Sequence, residues 1–182
     1  GSEAFVSGAR VATDLGVSRA AVWKQVVVLR SEGYQVESVR GKGYRLSGRP
    51  NKVTERELAR HLATSAFGRR LVSVQSTGST NDLAAEEARG GAPEGTTVIA
   101  DAQTAGRGRM GRAWQSEPGL NLYMSVLLRP AIGPAEAPRL SLLAGVAVAE
   151  ALEGEGLEVA IKWPNDVLVA GRKVAGILTE ME

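Results

Sequence analysis

Three short stretches of this 182-residue chain carry side chains able to do chemistry. The first is Gly106-Arg107-Gly108-Arg109-Met110-Gly111-Arg112, followed by Trp114. Arginines alternate with glycines here, and no carboxylate lies among them. Glycine lets a backbone bend sharply and lie close to a ligand, because it has no Cβ. Successive backbone N–H groups can then cradle an anion, and a guanidinium grips phosphate or carboxylate through paired bonds. An aromatic ring just beyond can stack on a base or cover a ligand. The composition suits a flexible anion-binding loop. It suits equally a disordered basic surface loop or an RNA-binding Arg-Gly segment. The run lacks the Gly-Lys-Ser/Thr ending of a Walker A loop, and no dinucleotide site is expected from it.

The second stretch is Ser76-Thr77-Gly78-Ser79-Thr80-Asn81-Asp82. Hydroxyls and an amide crowd the start of a helix, where free N–H groups and the dipole favour a polar ligand group. Ser79 acting simply as a helix cap explains the same residues equally well. The third is Lys162-Trp163-Pro164-Asn165-Asp166, which ends an apolar run. A lysine there is expected to be partly buried and to need an anionic partner, either a ligand or a structural carboxylate. Pro164 stiffens the turn.

The elements that must position these residues follow from hydrophobic spacing. Thr54 caps a helix to about Ala63, with Leu58 and Leu62 inward and His61 at or near the surface. Leu71–Gln75 and Thr96–Ala100 read as strands, the second leading through Asp101-Ala102-Gln103-Thr104 into the Arg-Gly run. A helix over Leu83, Ala84 and Ala88 lies between them. Leu120–Leu128 reads as an apolar strand ended by Pro130. Pro138–Leu152 is an amphipathic helix whose apolar face holds Leu140, Leu143, Ala144, Ala147, Val148, Ala151 and Leu152. Val159–Ile161 reads as a buried strand, and Val167–Val169 and Lys173–Leu178 form a hairpin around Ala170-Gly171. This region is α+β, with polar groups at strand ends.

The N-terminal part differs in kind. Ser7 caps a short helix to about Leu15, with Val11, Ala12 and Leu15 on one face; Gly16-Val17 turns. Ser18 caps a longer helix with Val22, Val26 and Leu29 inward, ended by Gly33. Two capped helices around a glycine turn are a helix-turn-helix. Its second helix presents Ser18, Arg19, Ala20, Trp23 and Lys24 near its start, where such motifs reach base edges. Tyr34–Val39 and Gly43–Leu46 form a hairpin with a basic tip, and Arg40, Lys42 and Arg45 are placed for phosphate contact. Residues 1–48 hold seven Lys/Arg against four Asp/Glu, so the chain's net charge of +2 is concentrated here. An interaction module without DNA contact is the alternative. The expected division is a winged helix-turn-helix over residues 1–48, a linker over 49–53 around Gly48-Arg49-Pro50-Asn51, and a second domain over 54–182.

Composition excludes several classes. Without cysteine there are no disulfides or thiolate chemistry, and a reducing, cytoplasmic setting is the default. A single histidine leaves no His-based metal site or catalytic triad. No apolar run is long enough to span a membrane, and no signal peptide opens the chain. The start at Gly1-Ser2-Glu3 without methionine, and the end at Glu182 after a strand-like run, read as a fragment, or at the start as a cloning scar. A winged helix ordinarily has one further helix before Ser7.

Taken together, Gly8–Leu29, Gly41-Lys42-Gly43-Tyr44, Ser79-Thr80-Asn81, Gln103 through Trp114, Asn121-Leu122-Tyr123, Lys162–Asp166 and Lys173–Leu178 stand in the order of one family. The chain resembles the bifunctional biotin–protein ligases that double as biotin operon repressors. The resemblance implies a class II synthetase-like, mixed-sheet catalytic domain behind the winged helix, here only in its N-terminal part. It implies that biotin and Mg-ATP give biotinoyl-5′-AMP and pyrophosphate, and that a lysine of biotin carboxyl carrier protein then takes the biotinoyl group. It also implies operator DNA as a partner and a homodimer once the adenylate is bound.

By the same resemblance Ser79, Thr80, Asn81 and Gln103 bind the ureido end of biotin or line its site, and Arg107, Gly108 and Arg109 close over the acyl-phosphate region. Arg112 faces ATP phosphates and Trp114 covers the biotin or the adenylate. Lys162 and Arg109 are the catalytic candidates, and Lys162 contacts the biotin carboxylate. Asn165 and Asp166 lie toward the nucleotide or its Mg²⁺. No residue is assigned as a direct metal ligand; Mg²⁺ comes with ATP. Met110 stands where the family often has arginine. The Arg-Gly run is expected to be a lid, loose without ligand. A small-acid-sensing regulator without catalysis, or a lipoate-type ligase, are the other readings.

Overall fold

A computed structural model of the chain describes residues 4–50 and 53–181. Residues 51 and 52 of the expected linker, and 1–3 and 182, lie outside the described residues. The chain divides into two compact units, Gly1–Lys52 and Val53–Glu182.

In the first unit α1 (Gly8–Leu15) and α2 (Arg19–Ser31) are capped by Ser7 and Ser18, whose hydroxyls accept from Arg10 N and Ala21 N. Gly16 closes α1 in the left-handed conformation at φ 64°, which glycine adopts without a Cβ penalty. Ala12, Val22 and Val26 are buried, whereas Leu15 is 68% exposed and falls outside the expected apolar face. Strands β1 (Gln35–Val39) and β2 (Gly43–Gly48) pair antiparallel as the wing. Arg30 ties α2 to β1 by donating to the Val36 carbonyl and Ser38.

A further pairing escaped the sequence reading: Val6 and Tyr44 exchange backbone bonds of 2.9 Å. The approach requires a glycine at 43, because a Cβ there would lie 2.1 Å from the Val6 carbonyl oxygen, and φ is +107°.

The second unit starts with α3 (Glu55–His61), capped by Thr54. Strands β3 (Leu71–Thr77), β4 (Thr97–Gln103) and β5 (Tyr123–Val126) form one sheet, with β3–β4 parallel and β4–β5 antiparallel. Helix α4 (Thr80–Arg89) connects β3 to β4, as a parallel pair demands. Val98, Ile99 and Ala100 of β4 are buried. Strands β6 (Val159–Lys162), β7 (Asp166–Val169) and β8 (Arg172–Gly176) form a second, antiparallel sheet. Helix α5 (Pro138–Glu153) packs against β6 and β7.

Three expectations are corrected here. The strand over 120–128 shrinks to Tyr123–Val126, because Leu120 and Leu122 stand exposed in the turn that precedes it. The face α5 buries is built on Gly145 and Ala149, small residues that let the helix approach; Leu143 is 65% exposed. Strand β6 is not buried: it is an edge strand with Ile161 42% exposed, whereas Val167 of central β7 is fully buried.

The wing contact predicts an asymmetry between two glycines. Gly43→Ala is expected to destabilise the N-terminal unit by about 3 kcal/mol, from the backbone collision and the strained φ together. Gly41→Ala, at φ +81° with open space around it, should cost only the left-handed penalty of about 1 kcal/mol. Thermal denaturation followed by circular dichroism measures both; equal losses would show that the Val6 approach is not tight.

Candidate functional site

The chemistry-bearing stretches converge inside the second unit. Beyond β4, Thr104 N and Ala105 N continue the pairing to the carbonyls of Thr77 and Gly78, at 2.9 and 2.8 Å. This carries the Arg-Gly run alongside the start of α4. Gln103, the last residue of β4, accepts at Oε1 from Thr80 N (2.8 Å) and Thr80 Oγ1 (3.1 Å). Its Nε2 donates to Ser116 Oγ at 3.0 Å. Ser125, pointing inward from β5, lies 2.8 Å from Thr80 Oγ1 and also donates to Asn81 Oδ1. Ser79 is buried, and its hydroxyl caps α4 by accepting from Asn81 N.

This cluster is rich in acceptors. The single hydroxyl proton of Ser125 cannot serve both neighbouring oxygens, so acceptor capacity on Thr80 Oγ1 and Asn81 Oδ1 stays open to a ligand's N–H groups, whereas Gln103 Oε1 already accepts twice. Thr80, Ser116 and Ser125 are also buried. The sequence reading missed Ser116 and Ser125. Ser125 shares the inward face of β5 with buried Tyr123, so a polar residue at an inward strand position was the available signal. Ser116 lies on a loop and carried none.

The Arg-Gly run is a small hairpin. Trp114 N donates to Gly106 O (2.8 Å) and Gly108 N to Arg112 O (2.7 Å), with Arg107 and Ala113 paired across it. Gly106, Gly108 and Gly111 do carry Gly-x-Gly-x-x-Gly spacing, yet the run opens no helix, which the dinucleotide motif requires. A Cβ on Gly106 would lie 2.5 Å from Trp114 O and 2.7 Å from Ser116 Oγ, so glycine is needed there for close packing. Met110 tops the hairpin at φ 59° and is 88% exposed.

The expectation of a lid loose throughout is corrected at its root. Arg107 donates to Asp82 at 2.6 and 2.9 Å and to Glu180 at 3.0 and 3.3 Å. The Arg107 hydrogen bonds, opposed by partial burial and joined by its charge, hold the Asp82 carboxyl below its ordinary range. They do the same for Glu180, with help from Asn81. Bonds from the two carboxylates raise the Arg107 pKa in turn. For carboxyls depressed in the folded state, the stabilisation is present above the ordinary carboxylate range and lost as pH falls through the lowered values. These pairs therefore hold at neutral pH, in partial solvent that limits their worth.

The tip is different. Arg109 and Arg112 are exposed and form no ion pair with a described residue; Arg109 reaches only Asn165 Oδ1, at 3.4 Å.

The third stretch joins from the second sheet. Lys162 pairs in register with Asp166 at the mouth of the β6–β7 hairpin, and its side chain is exposed. The expected partial burial of Lys162 is corrected, and of its two expected kinds of partner no structural carboxylate is found among the described residues: Asp166 binds Lys173 at 2.7 Å. Lys173 also lies 4.8 Å from the Trp114 ring centre, a cation–π contact. Asn165 donates to Ile177 O at 2.8 Å and pins the turn to the segment after β8. Asn165 and Asp166 thus have structural partners that the sequence did not reveal. Lys162, Arg109 and Arg112 remain cationic groups without a carboxylate among the described residues.

In the first unit Arg19, Ala20, Trp23 and Lys24 are exposed on α2, and Arg40 and Lys42 are exposed at the wing tip. Ser18 is occupied as a cap. Arg45 is removed from the phosphate-contact set: it binds Glu37 at 2.8 Å and stacks over Phe5.

Comparison with known proteins places both units. The Biotin/lipoate A/B protein ligase family matches residues 72–182, and an HTH domain matches residues 1–45. The chain is 50% identical to the bifunctional ligase/repressor BirA of Bacillus subtilis, over 98% of this chain and 55% of that protein. It is 40% identical to BirA of Escherichia coli, over 97% of this chain and 54% of that protein. The chain thus spans about half the length of the curated relatives it matches.

Among solved structures, it superposes on the biotin protein ligase of Aquifex aeolicus in complex with biotin and ATP, with TM-score 0.54 and 38% identity. That match covers 62% of this chain and 47% of the other. It superposes on the Leishmania major biotin protein ligase with biotinyl-5-AMP, with TM-score 0.55 and 32% identity, over 63% of this chain and 53% of the other. A helix-turn-helix unit followed by a mixed-sheet ligase fold, with relatives that keep the same order, makes this chain a member of the Biotin/lipoate A/B protein ligase family.

Proposed function

We propose that the protein containing this chain activates biotin to biotinoyl-5′-AMP and passes the biotinoyl group to a lysine of a biotin carboxyl carrier protein. The observation that carries this reading is the polar cluster of Thr80, Asn81, Gln103 and Ser125, with Thr80 and Ser125 buried, in the same unit as cationic groups without carboxylate partners among the described residues. A ureido ring presents two N–H donors and one carbonyl, which suit the open lone pairs and the Gln103 amide. Lipoate's dithiolane has no N–H donors and would leave this cluster unsatisfied, at the cost of a buried polar group without a partner. That favours biotin over a lipoate-type substrate.

Ser79 shapes the cluster by capping α4, and Gly108 leaves room for close ligand approach, since a Cβ there would meet nothing nearer than 3.5 Å. The valerate carboxylate then leads toward Lys162 and the hairpin tip. Joining a carboxylate to a triphosphate brings anions together, so preorganised cations must hold both. In this reading Lys162 and Arg109 neutralise the carboxylate and the developing acyl phosphate, and Arg112 faces the leaving phosphates. Trp114, backed by Lys173, offers a ring face to the adenylate. Asn165 positions Arg109. Asp166 is engaged by Lys173. Among the described residues no group of three His, Cys, Asp or Glu side chains is placed to hold a metal, so Mg²⁺ enters as the ion of Mg-ATP.

The N-terminal unit is proposed to bind operator DNA through Arg19, Ala20, Trp23 and Lys24 on α2, with Ser18 as its cap and Arg40 and Lys42 on phosphates. A dimer formed with the adenylate bound would bring two such units to two half-sites. No helix among the described residues is long and apolar enough to cross a membrane; a cytoplasmic setting is part of the proposal.

Two outcomes are expected in the protein expressed from the full reading frame. Arg109→Ala and Lys162→Ala should each lower biotin-dependent pyrophosphate release by about 10²-fold, since each removes a preorganised charge, with the melting temperature unchanged. Full release in both variants would remove the site assignment, and biotin binding without any release in the native protein would favour a sensor. Separately, Arg40→Ala and Lys42→Ala should weaken operator binding alike across sequences, each reducing the log–log salt slope by about 1. A slope unchanged in both would take the wing tip off the phosphates.

A further inference from the structure

The Arg-Gly hairpin contains three arginines, and the structure separates one of them from the others. We infer that Arg107 is a positioning residue: with Asp82 and Glu180 it forms an ionic clasp that anchors the hairpin root and sets the orientation of the Asn81 amide. This rests on the proposed reading of the acceptor cluster and departs from the assignment of Arg107 to the ligand.

Three elements meet at this point. Asp82 lies in the first turn of α4, Arg107 in the hairpin, and Glu180 beyond β8. Asp82 takes Arg107 Nη1 and Nη2 at 2.9 and 2.6 Å, the bidentate geometry that makes such pairs strong. Glu180 takes Nε and Nη2 at 3.3 and 3.0 Å. Four of the guanidinium's five N–H donors are thereby used. One positive charge faces two negative ones, so the clasp is net negative. An acyl phosphate is repelled from such a place, whereas Arg109, Arg112 and Lys162 are free to receive it.

Glu180 has a second task. Its Oε2 accepts from Asn81 Nδ2 at 2.8 Å, and the Leu178 carbonyl lies 3.5 Å from the same nitrogen. A flipped amide would set its oxygen against a carboxylate and a carbonyl, three acceptors with no proton between them. The clasp therefore holds Asn81 Oδ1 toward Ser125, as an acceptor within the polar cluster. Loss of the clasp frees both the hairpin root and this amide.

The test uses the protein from the full reading frame, with biotin and ATP as probes. Arg107→Ala, Glu180→Ala and the double variant are compared by calorimetric biotin binding, by KM for ATP, and by hydrogen exchange over residues 107–113 without ligand. Arg107→Ala and Glu180→Ala should each weaken biotin binding about tenfold, the scale of one charge-assisted hydrogen bond, while KM for ATP stays within about twofold. The double variant should lose little more than either single one, because partners in one network are not additive. Glu180→Gln, which keeps an acceptor for Asn81, should recover most of the affinity. Exchange over 107–113 should quicken in both alanine variants.

A rise in the KM for ATP on Arg107→Ala, or additive losses in the double variant, would overturn the inference and return Arg107 to the ligand. Unchanged exchange in the alanine variants would overturn the clasp by itself. Failure of the native protein to bind biotin would instead sink the reading of the acceptor cluster, and the exchange measurement would still decide the clasp.

Discussion

The side-chain amide of Gln103 ties together the parts on which the candidate site depends. A helix begins with N–H groups that have no partner inside the helix. At α4 one of them, Thr80 N, is met by Gln103 Oε1 from the end of β4, at 2.8 Å. The other end of the same amide reaches Ser116, on the chain returning from the Arg-Gly hairpin. One carboxamide thus registers a helix start, a strand end and a loop against each other. Gly106 packs into the angle so formed, where a Cβ would collide with Trp114 O and Ser116 Oγ. Thr80, Ser116 and Ser125 in this cluster are buried, and unpaired polar groups in such a place are costly, so its geometry is held closely.

Charge is distributed around this cluster by pairing. Carboxylates from α4 and from beyond β8 neutralise Arg107, and Lys173 neutralises Asp166. Arg109, Arg112 and Lys162 are left as exposed cations without a carboxylate among the described residues. A hairpin fixed at its root and free at its tip is suited to a reaction in which anions must first enter and then be enclosed. The two three-stranded sheets of this unit are bridged here largely by side chains: Arg107 to Glu180, Arg109 to Asn165 and Lys173 to Trp114. Contacts among the candidate-site residues and contacts between the sheets are thus made by the same loops.

Local structure was readable where it depends on local chemistry. Ser7, Ser18, Thr54 and Ser79 are caps because their hydroxyls reach N–H groups two or three residues on, a relation written in the sequence. Leu143 and Ile161 were misplaced because helical spacing and a β-branched run say that a segment has an apolar face, and not what lies against it. Gly145 and Ala149, the residues α5 buries, carry weak hydrophobic signals and matter because they are small. Strand β6 is an edge strand, a property of sheet order that no window of residues records.

The sequence by itself determined the caps, the turns at glycine, the helix-turn-helix and the set of motifs that marks the family. These follow from backbone sterics and from hydrogen bonds within a few residues. Only the tertiary structure decided which charges are engaged and which are free. Arg107, Arg109 and Arg112 are alike in sequence, yet Asp82, 25 positions away, and Glu180, 73 positions away, take the first and leave the others. Pairing over such separations depends on where strands and helices bring side chains in space, because hydrogen bonds form only at contact distance and coulombic attraction weakens as charges separate.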